Sequence, residues 1–69
     1  MNIYNMKLRF TKLLAPAKIL DYEKLTSDYS ELAGCSERTA KVHLSKMRTL
    51  NFIRKADAGG YCLTTVQVE

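Results

Sequence analysis

The chain has 69 residues, a net charge of +4, two cysteines and one histidine. That length holds one domain, residues 1–69, whose thin core is marginally stable alone, so pairing with a second copy is expected. No apolar run nears the roughly 20 residues of a membrane span, the first residues lack a secretory apolar core, and the Cys and His residues form neither a CxxC pair nor a zinc set, which leaves a reduced, cytoplasmic setting and no membrane as the expectation.

Residues 2–14 read two ways. Ile3, Met6, Phe10, Leu13 and Ala17 recur at helical spacing, while Met6, Leu8 and Phe10 alternate with Lys7 and Arg9 as a strand would. Lys, Leu and Met favour helix. Residues 1–14 are thus an N-terminal arm, either covering the core or forming a dimer seam. Pro16 suits a first helical turn, so a helix is expected from about Ala15 to Leu25, with Ile19, Leu20 and Tyr22 as core candidates and Thr26-Ser27 as its end. Asp28 is a strong N-cap type, and Glu31 gives it capping-box spacing. Tyr29, Leu32 and Ala33 supply an apolar face, and Gly34 ends that short helix by taking positive φ. The Tyr29 hydroxyl then requires water or a partner.

Ser36 caps the next helix. Ala40, Leu44, Met47 and Leu50 form one stripe for the core, and Asn51 tolerates the left-handed cap that stops the helix. Phe52 to Lys55, the turn Asp57-Ala58-Gly59-Gly60 and the strand formers Tyr61 to Thr65 read as a hairpin over residues 53–65, with Val66 and Val68 as its extension. The predicted fold class is α+β: a three-helix winged helix-turn-helix with a C-terminal β-hairpin wing, and an N-terminal segment that adds a further helix if it is helical.

Charge follows the same division. Residues 1–18 hold Lys7, Arg9, Lys12 and Lys18 and no acid. Residues 19–35 set Lys24 against Asp21, Glu23, Asp28 and Glu31. Residues 36–55 set Arg38, Lys41, Lys46, Arg48, Arg54 and Lys55 against Glu37 alone. A basic concentration on the second helix of a helix-turn-helix suits a polyanion.

The run CSERTAKVHLSKMRTLNFIRK resembles the recognition helix and the start of the wing in MarR-like and ArsR-like regulators. Those families place an apolar residue, Ser, two polar residues, Thr and a small apolar residue in order, filled here by Cys35, Ser36, Glu37-Arg38, Thr39 and Ala40. Leu44, Met47, Asn51, Phe52 and Ile53 fill the later slots, with Asn51 in place of the usual Gly. Ser30 stands where Ala is usual, and Tyr29 where Leu is usual. The stretch LLAPAKILDY is similar to the first helix of ArsR-like proteins. The likeness spans roughly residues 13–64, with residues 28–51 as the helix-turn-helix.

The resemblance implies double-stranded DNA as partner, a homodimer, and transcription regulation at a pseudo-palindromic operator. A winged-helix module for plasmid or viral replication, partition or recombination is the near alternative. A protein–protein module without DNA binding is the distant one. Geometry puts the N-terminal turns of the recognition helix nearest the base edges. Arg38 is the candidate for guanine, Glu37 for a cytosine amine and Val42 for a thymine methyl. Ser36, Thr39, Lys41, Ser45 and Lys46 are candidates for phosphate, and Arg54 and Lys55 for the neighbouring backbone or minor groove. His43 is expected at a helix surface or core edge, and Cys35 and Cys62 as packed thiols. With no nucleophile–base set, metal cluster or phosphate loop, neither catalysis, a cofactor nor a small-molecule ligand is expected.

Overall fold

A computed structural model describes residues 2–64. Three helices, α1 (Ile3–Leu13), α2 (Tyr22–Ala33) and α3 (Glu37–Thr49), precede an antiparallel hairpin of β1 (Ile53–Lys55) and β2 (Tyr61–Leu63). The α+β layout is as expected, but the N-terminal helix is the first of three and not an addition to three. Thr65, Val66 and Val68, assigned to the end of the wing, lie outside the described residues.

The ambiguity over residues 2–14 resolves to helix. The Asn2 side chain accepts from the Asn5 N–H and caps α1. Met6 and Phe10, one turn apart, are fully buried, so this segment belongs to the core. Its alternating Lys7 and Arg9 do not define a strand because Leu8, on the strand face they would leave apolar, is exposed.

The helix expected from Ala15 to Leu25 does not form. The Lys18 N–H bonds to the Ala15 carbonyl at 3.0 Å, closing a turn with Pro16 in its second position, where the ring's fixed φ is favourable. Leu20 then pairs with Tyr61 through two backbone bonds, Leu20 N–H to Tyr61 O at 3.1 Å and the reverse at 2.7 Å. The backbone that would have been helical is thereby committed to the outer edge of β2. Ile19 and Tyr22, expected in the core, are exposed, and Leu20 is half-buried.

Helix α2 consequently starts earlier than Asp28. Asp21 is its N-cap, accepting from the Lys24 N–H at 2.7 Å, and Asp28 lies inside the helix, where it pairs with Lys24 at 3.5 Å. Thr26 and Ser27 do not break the helix. The Thr26 hydroxyl donates to the carbonyls of Tyr22 and Glu23, which satisfies it without leaving the helix. This face buries Leu25, Thr26 and Tyr29, whereas Leu32 is exposed. Gly34 ends α2 at φ 69°, and a Cβ there would meet nothing within 4 Å, so its role is conformational and not close packing.

Helix α3 follows expectation in its first three core positions. Ala40, Leu44 and Met47 are buried, but Leu50 is the C-cap and about half exposed. Asn51 takes φ 62°. The Phe52 N–H reaches the Met47 carbonyl and the Asn51 N–H reaches that of Arg48, the bond pair of a Schellman cap. The chain is thereby turned directly into β1. In the hairpin Ile53 faces Leu63, Arg54 faces Cys62 and Lys55 faces Tyr61. Gly60 takes φ 81°, and a Cβ there would sit 2.9 Å from the Leu20 carbonyl oxygen, so this glycine admits the Leu20 pairing.

Candidate nucleic-acid interface

Because α3 buries Ala40, Leu44 and Met47, the opposite side of the helix must face solvent. That side carries Arg38, Val42, Ser45 and Thr49 in one exposed stripe, with Lys46 beside it. Among the described residues Arg38 enters no ion pair. Lys41 and Arg48 lie on one flank of the stripe. Lys41 Nζ is 5.7 Å from the Tyr22 ring centroid, and the Arg48 guanidinium is 5.1 Å from that of Tyr61.

The ten residues singled out in sequence are not equivalent in space. Ser36 and Thr39 are turned toward each other: the Ser36 Oγ accepts the Thr39 N–H at 3.1 Å and lies 3.2 Å from the Thr39 Oγ1. Their hydroxyls form the start of α3, with Thr39 half-buried. Glu37 and Lys41 line a groove of about 440 Å³ at the N-terminal ends of α2 and α3, together with Glu23, Lys24 and Asp28. Three acids and two cations share that groove, so it repels a phosphate more than it attracts one.

The opposite end of α3 has the reverse character. A groove of about 410 Å³ between α3 and β1 is lined by Ser45, Arg48, Thr49, Asn51, Arg54 and Lys55, over Ile53. It has three cations and no acid. Ser45, Arg54 and Lys55 were expected to contribute. Arg48, Thr49 and Asn51 were not, although Arg48 falls seven residues after Lys41 and so on the same flank. Arg54 also donates to the Lys55 carbonyl at 3.4 Å, keeping its guanidinium along the strand.

His43 is on the side of α3 that turns toward α1 and α2. Its Nδ1 lies 2.7 Å from the Tyr29 hydroxyl, which also accepts from Arg9 at 3.4 Å. Burial, and then the nearby Arg9 cation, hold its pKa below the ordinary 6.5. Cys35 is partly buried against the core and Cys62 fully buried, both as free thiols. No helix of the described residues is long and apolar enough to cross a membrane. Among the described residues no group of three or more His, Cys, Asp or Glu side chains is arranged so that it could hold a metal ion.

No protein-family model matches the chain, and neither a curated protein nor a solved structure does.

Proposed function

We propose that this chain is a winged helix-turn-helix protein that binds double-stranded DNA, with α2 and α3 as the helix-turn-helix, α3 as the groove-reading helix and the β1–β2 hairpin as the wing. The observation that carries the reading is the exposed stripe of Arg38, Val42, Ser45 and Thr49 beside an acid-free groove holding three cations. A major groove about 12 Å wide admits a helix whose outer face carries polar and small side chains. Neighbouring cations supply the phosphate contacts that fix its register. The Leu20–Tyr61 pairing supports the wing by giving β2 partners on both edges.

Within this reading Arg38 contacts a base, since its guanidinium is exposed near the start of the stripe and can bind guanine O6 and N7 together. Val42, one turn on, reaches a thymine methyl. Lys46 binds phosphate, and Ser36 and Thr39 act chiefly as the cap that aims α3. Transcription regulation at a two-fold operator follows from the resemblance to MarR-like and ArsR-like proteins. A homodimer would place two α3 helices roughly 34–36 Å apart on one face of the duplex.

Fluorescence anisotropy with labelled genomic fragments tests the reading. Wild type is expected to select one class of fragment. Arg38→Ala is expected to lose about 1–3 kcal/mol on that fragment and to bind random duplex nearly as before. Equal losses on every sequence would remove Arg38 from base recognition.

A further inference from the structure

Two tyrosines underlie the flank of α3. Tyr22, at the start of α2, and Tyr61, in β2, have ring centroids 6.0 Å apart. Each carries one cation of α3 above it, Lys41 and Arg48 respectively. The two differ in rigidity. Tyr22 is exposed at a helix end, whereas Tyr61 is buried, its N–H and C=O both bond Leu20, and its strand pairs with β1 on the other edge. A ring held in that way cannot move with the arginine above it.

This bears on what Arg48 can do. An exposed arginine must lose several rotors before it can hold a ligand, and that loss is subtracted from affinity. A guanidinium already stacked on a fixed ring has lost part of that freedom beforehand, and its planar edge remains open for paired hydrogen bonds. Arg48 is exposed and lines the acid-free groove with Arg54 and Lys55. Near the end of α3 the carbonyls of Lys46, Met47 and Arg48, which would otherwise repel an anion there, accept the N–H groups of Leu50, Phe52 and Asn51.

We propose that the groove between α3 and β1 is a preformed site for one phosphodiester of the nucleic-acid backbone, with Arg48 as its bidentate ligand and Tyr61 as the residue that positions Arg48. This rests on the nucleic-acid reading above and assigns the strongest phosphate contact to the C-terminal half of α3. Arg54 and Lys55 close the site from the strand side. The groove at the other end of α3, rimmed by Glu23, Asp28 and Glu37, takes no phosphate.

The test is anisotropy with a random-sequence duplex over a salt series, using Arg48→Ala, Tyr61→Phe and Tyr61→Leu beside wild type, with circular dichroism to confirm folding. Arg48→Ala is expected to weaken low-salt binding about tenfold and to reduce the slope of log K against log salt by about 0.9, the share of one phosphate. Tyr61→Phe keeps the ring and binds as wild type. Tyr61→Leu keeps every charge and loses roughly two- to fivefold in affinity. Arg48→Ala with wild-type affinity and slope overturns the site. A folded Tyr61→Leu that binds as wild type overturns the positioning role. If wild type binds no duplex at low salt, the nucleic-acid reading falls and this site with it.

Discussion

Tyr29 joins the three helices at one point. Its ring stacks on Phe10 of α1 at 4.3 Å, and its hydroxyl meets His43 of α3 and Arg9 of α1. With His43 neutral, the phenol donates to Nδ1 and accepts from Arg9. With His43 charged, both neighbours are donors and the hydroxyl proton loses its acceptor. Burial and the Arg9 cation favour the neutral ring, so the folded pKa lies below the unfolded 6.5. Between the two values the unfolded chain binds more protons, and stability rises with pH. The contribution is therefore complete above pH 6.5 and is lost as pH falls through the folded value. Urea denaturation of wild type and His43→Gln at a series of pH values checks this. The difference between them should narrow on acidification, and a difference independent of pH would contradict it. The need of Tyr29 for a polar partner is legible in sequence. The partner itself is not, because it is fourteen residues away on another helix.

At the scale of elements, the start of α2 shows what local rules cannot decide. Asp21 and Asp28 are the same residue type, each followed by helix-forming residues, and Asp28 has the better capping-box spacing. The choice is made elsewhere. Leu20 is held by Tyr61, which puts the helix start at the next residue, and the earlier start buries Leu25 and Thr26 along with Tyr29. Asp21→Ala should cost about 1 kcal/mol as a lost cap. Asp28→Ala removes only the single i,i+4 pair with the exposed Lys24, in which Asp28 is half-buried, and should cost under about 0.5 kcal/mol. Thermal unfolding of both variants measures this, and a larger loss for Asp28→Ala would contradict the cap assignment. Where the signals are local they are sufficient. The Ser36 cap, three of the four stripe positions (Ala40, Leu44 and Met47, but not Leu50), the left-handed Asn51 and the Gly59-Gly60 turn occur as read. Where a backbone is claimed from far along the chain, as Leu20 is by Tyr61, periodicity misleads.

At the scale of the whole molecule, half of the candidate interface was legible and half was not. The exposed positions of α3 follow from its buried stripe. The division of charge between its two ends does not, because it depends on which residues of α2 and β1 come alongside: Glu23 and Asp28 at one end, Arg54 and Lys55 at the other. The same scale holds the question of assembly. Ile3, Tyr4 and Leu8 are exposed on α1, leaving apolar surface uncovered on a chain with a small core. A homodimer through α1 would cover it. Light scattering at micromolar concentration should give the mass of two chains, and Leu8→Glu should give the mass of one with helicity retained. A single-chain mass for wild type would contradict the dimer.

The most direct measurement of DNA binding is the affinity of wild type for a labelled duplex as a function of salt. The expected result is measurable binding at low salt that weakens linearly in log K against log salt, with a slope of about −0.9 for each phosphate engaged. Absence of binding at low salt, or binding indifferent to salt, would contradict it.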